Sequence, residues 1–204
     1  MKDARALASY PAVTPLDMEK PPGERSAEAL FRSHSRFVAD FAYRLGVQRQ
    51  EIDDVVQEVF LTAHRRGGYL DGTASPTTWL GQITLLAVRT RRRTERRRPS
   101  GGEELDPETM ATGEAGPYES IASAQALGRV QRALDMLDLD SRAVFILYEL
   151  EEEPCDAIAA SLGVPVGTIY SRLHGARRKF QEAYDRIERI EAAPSARRVP
   201  VRSQ

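Results

Sequence analysis

The side chains best placed to do chemistry are arginines. From Arg89 to Arg98 the chain reads RTRRRTERRR, seven arginines and one glutamate. Guanidinium forks bind phosphate oxygens in pairs, so such a run suits a polyanion. Gly167 to Phe180 holds a second basic set, Arg172, Arg177, Arg178 and Lys179, with no acid among them. Acidic stretches alternate with these. Pro99–Ser120 carries six carboxylates and no Lys or Arg, and Asp135–Asp156 carries eight against Arg142 alone. The formal charge of the whole chain is −1, so the basic patches are local rather than a coat. Two basic stretches set apart by acidic ones suggest two sites for a nucleic acid. Solvated helix faces and a basic linker would account for the charges equally well.

Other chemistries find little support. His34, His64 and His174 are scattered, with no partner one helical turn away, so no metal site is expected. The glycine pairs at 67–68 and 101–102 lack the Lys-Ser/Thr that completes a phosphate loop. Cys155 is the only cysteine, so it forms no internal disulfide. At a helix head its thiol could be acidified for redox sensing, but a lone cysteine there is more often simply packed. No enzyme activity, cofactor or small-molecule substrate is therefore expected. The longest apolar run, Ala143–Tyr148, is far short of the ~20 residues of a spanning helix. The N-terminal residues lack the apolar stretch of a signal peptide. A soluble cytoplasmic protein with no membrane insertion is the expectation.

The elements that position these residues follow from periodicity and breakers. Residues 1–25 hold Pro11, Pro15, Pro21 and Pro22 without apolar period and read as a flexible arm. Helical spacing runs from about Ser26 to Leu45, its stripe made by Leu30, Phe31, Phe37, Val38, Phe41, Ala42 and Leu45, and Gly46 stops it. A second helix spans about Arg49–Arg66 up to Gly67-Gly68. A third opens at Pro76, runs through Trp79, Leu80, Ile83, Leu86 and Ala87 into the arginines, and closes at Pro99. Residues 99–120 read as an acidic linker. Four further helices are expected near 121–138, 141–151, 155–162 and 166–190, followed by a loose tail over 191–204. No segment alternates at period two for long enough to make a strand. The fold class is all-α: two small helical domains, 26–98 and 121–190, joined by a flexible acidic linker, the second containing a helix-turn-helix.

Two helices carry candidate binding faces. In the second, Val55, Val56, Val59, Phe60 and Ala63 fill the core arc, while Asp54, Gln57, Glu58 and Leu61 fall opposite. That acidic face is either merely solvated or a docking surface for a basic partner. In CDAIAASLGVPVGTIYSRLHGARRKF, Ile158 and Leu162 point inward, Ala159 permits a close crossing, and Gly163 fits a left-handed turn. The next helix starts at Gly167 or Thr168 and seats on Ile169 and Leu173. Its outward residues Thr168, Tyr170, Ser171, Arg172, His174, Arg177 and Arg178 suit base edges and phosphates in a major groove.

Taken in order, IDDVVQEVFLTAHRR (52–66), WLGQI (79–83), LDLDSRAVFILYELEE (137–152) and LGVPVGTIYSRLHGARRKF (162–180) resemble the extracytoplasmic-function sigma factors of bacterial RNA polymerase. The resemblance covers roughly Ala27–Tyr184. It implies a factor that binds core RNA polymerase and directs promoter recognition and transcription initiation. By position, Asp54, Gln57 and Glu58 would meet the clamp helices of the polymerase largest subunit. The helix over about 76–93 would capture and melt the minus-ten element of promoter DNA, with Arg89, Arg91, Arg92 and Arg93 holding phosphates and Trp79 mainly a core anchor. Thr168–Arg178 would read the minus-thirty-five element. The acidic linker would lie in or near the polymerase channels. Relatives are often held inactive by an anti-sigma protein clamped between the domains, and the resemblance admits such a partner. Three positions depart from the pattern. Leu86 and Thr90 stand where Asn and Asp are frequent, and Gly175 where many relatives carry Arg. Leucine cannot supply an amide's hydrogen bonds, so a helix-turn-helix regulator, or a sigma-like protein without promoter melting, is the alternative. A third is a pure interaction protein whose charged faces pair with each other or with a partner.

Overall fold

The computed structural model describes residues 24–70, 72, 74–96 and 117–192. Seven α-helices run in chain order: α1 Ala27–Arg44, α2 Ile52–Arg65, α3 Pro76–Glu95, α4 Pro117–Asp135, α5 Leu139–Glu149, α6 Cys155–Leu162 and α7 Val166–Ala192. A 3-10 turn, Arg49–Glu51, leads into α2, and two short strands, β1 Glu24–Arg25 and β2 Tyr69–Leu70, pair antiparallel. The all-α reading stands, with this one small strand pair added.

Most helix ends are set by local chemistry. The Ser26 hydroxyl caps α1 by accepting from the Ala29 N–H, and Gly46 at φ +89° turns the chain out of it. Ser75 and Thr78 form a capping box at α3, with Pro76 in the first turn. Asp138 caps α5 by accepting from the Ser141 N–H. Gly163, at φ +65°, ends α6 in the left-handed region anticipated for it.

Three expectations need revision. Glu24 and Arg25, assigned to the flexible arm, form β1. The arm's remaining residues, 1–23, lie outside the described residues, as do 97–116 of the expected linker, including Arg97 and Arg98, and 193–204 of the tail. Helix α4 begins at Pro117 rather than 121, while α7 begins at Val166, the start of the expected segment 166–190 and a residue ahead of the Gly167 or Thr168 also considered. Phe31, expected in the core stripe of α1, is 48% exposed and meets Phe60 edge-on with ring centroids 5.1 Å apart.

Leu30, Phe41, Leu45, Val55, Leu80 and Leu85 fill the first helical unit, and Leu134, Ile146, Leu147, Ile158 and Ile169 the second. Each fully buried side chain of this size stabilises by roughly 1.5–3 kcal/mol relative to exposure. The two units share one continuous core. Helix α3 packs on α5 and α6 where Gly81 gives Leu147 room: a Cβ at Gly81 would come within 3.1 Å of Leu147 Cδ2. The C-terminal carbonyls of α1 are met from both units. Arg92 donates to Leu45 O at 2.5 Å, while Gln131 and Arg142 donate to Arg44 O at 3.4 and 3.5 Å. Cationic donors at that end also oppose the helix dipole.

Candidate functional site

Helix α7 presents the best-formed face. Ile169, Leu173 and Ala176 are buried against the second unit and fix the helix in rotation. Tyr170, 57% exposed, then projects with Ser171, His174, Arg177 and Arg178, while Thr168 and Arg172 are partly covered. These are the residues anticipated from the sequence, on one side of one helix. They are not equally free. Arg177 is paired with Glu149 at 2.5 Å and lies over the Tyr148 ring, 5.1 Å from its centroid. Hydrogen bonding to Glu149 raises its pKa further, so its charge is permanent. Arg172 faces Asp140 at 3.5 Å. A Cβ at Gly175 would meet nothing within 4 Å, so that position is open on the same helix.

Helix α3 places its arginines on different sides. Arg93 is exposed. Arg89 pairs with Asp140 of α5 through Nη2 and, at 3.1 Å, through Nε. Arg91 lies 3.4 Å from Glu58 and 3.7 Å from Glu51, and Arg92 is turned back onto the end of α1. The run that reads as a uniform cationic strip is therefore partly folded into structure. Leu86 is 40% exposed on this helix, and the Thr90 hydroxyl donates to its carbonyl at 2.9 Å. Trp79 is half-buried and packs edge-on against Tyr69, consistent with an anchoring role.

The acidic face of α2 borders a groove of about 570 Å3 between α1 and α2. Phe31, Val56, Phe60 and Leu61 line its apolar part, and Glu28, Asp53, Asp54 and Gln57 bring polar and acidic groups to it. Asp54 and Gln57 are exposed there, as the wheel placed them. Glu58 is not among the lining residues and turns toward Arg91. Phe31 was missed as a surface residue because α1 read alone offers no sign that its stripe is wider than the core it covers. Leu61, 47% exposed, was legible from the wheel.

Two groups read earlier for reactivity behave differently. Burial and the nearby Asp156 carboxylate push the Cys155 thiol up from its ordinary pKa, the reverse of an activated thiol. Burial, helped by Arg25, pulls His34 down, and its Nδ1 sits 2.6 Å from the Ser33 hydroxyl.

A second polar cluster was not anticipated. Glu153, 9% exposed, accepts from the Ser75 hydroxyl at 2.6 Å and the Thr78 hydroxyl at 3.1 Å. Ser161 donates to Thr78 O at 2.9 Å beside it. These contacts join residues 75–83 positions apart, which no local pattern signals.

Comparison with known proteins gives a consistent picture. The Sigma-70 region 2 family model matches residues 30–98, and the Sigma-70, region 4 model matches 127–180. The ECF RNA polymerase sigma factor SigE of Mycolicibacterium smegmatis is 31% identical over 160 residues, covering 77% of this chain and 61% of that protein's length. The ECF RNA polymerase sigma factor SigM of Mycobacterium tuberculosis is 30% identical over 180 residues, covering 87% of this chain and 82% of the relative. Among solved structures, CnrH in complex with the cytosolic domain of CnrY superposes with a TM-score of 0.56 at 26% identity, over 78% of this chain and 88% of that one.

Proposed function

Because this chain belongs to the extracytoplasmic-function sigma factors of RNA polymerase, we propose that its two helical units divide promoter recognition between them and that the groove on α2 docks the polymerase. Residues 26–98 form the polymerase- and minus-ten-binding unit in this reading, and 121–190 the minus-thirty-five-binding unit. The observation that carries it is the single face of α7, where Thr168, Tyr170, Ser171, Arg172, His174, Arg177 and Arg178 gather over a buried seat of Ile169 and Leu173. Hydroxyls and guanidinium groups on a helix held that way can reach base edges and flanking phosphates together.

On α2, Asp54 and Gln57 beside an apolar groove fit a basic helical partner with apolar ridges, the chemistry expected of the polymerase clamp helices. Glu58, paired with Arg91, orders α2 against α3 and contributes through position. On α3, Arg93 and Arg89 take phosphates of the minus-ten element while exposed bases stack nearby. An anti-sigma protein is a further partner; the similar sigma factor CnrH is itself held by another protein, the cytosolic domain of CnrY, in its solved structure.

Purified chain incubated with bacterial core RNA polymerase, followed by permanganate footprinting on selected promoter DNA, tests the assignment. Co-purification with an open bubble is expected. Polymerase binding without a bubble would favour the melting-deficient alternative that Leu86 raises. Absence of polymerase binding would refute the groove assignment.

A further inference from the structure

Neither helical spacing nor alternation orders residues 1–23, which lie outside the described residues, yet Leu7, Tyr10, Val13 and Leu16 recur at every third position. Three is the period of the polyproline II helix, which rises about 3.1 Å per residue and carries every third side chain on one edge. Pro11 and Pro15 stand within the run. Each fixes its own φ near that conformation and biases the residue before it, Tyr10 and Thr14, the same way. The sequence therefore favours an extended rod with one apolar edge, preceded by the cations Lys2 and Arg5.

The groove between α1 and α2 matches that rod. Phe31 and Phe60, set edge-on, form its apolar wall with Val56 and Leu61. Aromatic-lined grooves take proline-containing rods because the rod is already extended and loses little entropy on docking. The α2 side of the groove, Asp53 to Leu61, runs about 12 Å at 1.5 Å per residue. One turn of the rod sets Leu7 and Tyr10 about 9 Å apart, so both fit. Glu28, Asp53 and Asp54 border the groove and no Lys or Arg lines it, which suits Lys2 and Arg5. The chain also arrives at the right place. Strand β1 is held by β2, Ser26 caps α1, and the next two residues, Ala27 and Glu28, line the groove. Thirteen residues separate Tyr10 from Glu24, a reach of up to ~45 Å. A segment tethered so close meets the groove at high effective concentration, so modest contacts suffice.

We propose that the chain's own N-terminal arm occupies the α1–α2 groove of the unbound protein. Leu7 and Tyr10 seat against Phe31, Phe60 and Leu61, and Lys2 and Arg5 lie beside Asp53 and Asp54. The arm thus offers the groove the same combination of apolar and basic groups that the polymerase is assigned to bring, and polymerase binds by displacing it. The displacement rests on the proposed assignment of the groove to polymerase, whereas the seating does not. Apparent affinity for polymerase is reduced by the fraction of molecules whose groove is covered.

The test uses the full chain in two variants. Leu7→Ser with Tyr10→Ser removes the apolar edge, and Lys2→Glu with Arg5→Glu reverses the cations that precede it. Circular dichroism confirms helicity. Methyl NMR compares Val56 and Leu61 in the groove with Leu134 and Ile146 in the second unit. Titration against bacterial core RNA polymerase reads affinity. In both variants the Val56 and Leu61 resonances should move from their wild-type positions while those of Leu134 and Ile146 stay. Polymerase should bind both variants roughly fivefold tighter, the factor for a groove covered in about four molecules of five. Unmoved groove methyls in both variants would overturn the seating. Differences that vanish on dilution would place the arm in the groove of a second copy and overturn the intramolecular form. Moved groove methyls with unchanged polymerase affinity would overturn the competition. Moved methyls in chains that, like the wild type, bind no polymerase would refute the assignment of the groove to polymerase, and the displacement with it, while the seating stands.

Discussion

Single residues on α7 carry the clearest expectations. Gly175 faces open space, so Gly175→Arg adds a guanidinium to the proposed DNA face without a clash and with a better helix former. One added phosphate contact should tighten duplex binding and steepen its logarithmic salt dependence by about one. Arg172→Ala should weaken binding by about 1–3 kcal/mol if its fork reaches a base. Loss of the Asp140 pair offsets part of that, so the Asp140→Asn background gives the cleaner measurement. Cys155 should be inert near neutrality. Its thiol is buried and its pKa is raised, so the thiolate is scarce. Alkylation should be slower than for a free thiol, rise only at pH above the ordinary thiol range and accelerate in denaturant. A rapid reaction at neutral pH would restore redox sensing. The sequence offered both outcomes for Cys155. It could not decide between them, because the decisive quantity is the burial contributed by neighbouring helices.

Helices were legible where one residue fixes the backbone. Gly46 and Gly163 do so by their positive φ, and Pro76 by its fixed φ at the head of α3. One such marker was overridden. Pro117 opens α4, but it stands inside a stretch whose acidic composition resembles a linker, so composition put the expected start at 121. The β1–β2 pair was invisible at two residues per strand, although Gly68 bears its trace: a Cβ there would fall 2.4 Å from Arg25 O. The wheel of α2 placed Asp54 and Gln57 outward but could not tell that Glu58 faces Arg91. That difference matters for docking. Asp54→Lys reverses a charge beside the groove and breaks no internal pair among the described residues, so it should abolish polymerase co-purification while keeping the fold, at a cost of about 0.3–1 kcal/mol for a cation in the first turn of α2. Glu58→Lys should lower the midpoint as well, because it sets two cations together. Retained binding by a folded Asp54→Lys chain would move the docking surface off α2.

Across the whole molecule, the charge alternation along the sequence acquires a second meaning. Acidic and basic stretches read as separate binding faces, yet Asp140 and Glu151 of the acidic stretch Asp135–Asp156 meet Arg89 and Arg44 of the first unit. Residues 51 and 107 positions apart cannot be paired by any helical spacing, so this layer of the fold lay beyond reading from one sequence. It has a measurable signature in salt. The Arg89–Asp140 and Arg44–Glu151 pairs are partly exposed, so salt screens them, while the contact of Leu147 with Gly81 carries no charge and is not screened. Raising salt should therefore lower the unfolding midpoint of the wild-type chain more than that of a chain carrying Asp140→Asn with Glu151→Gln. Equal shifts in the two chains would mean that these pairs add nothing measurable to stability.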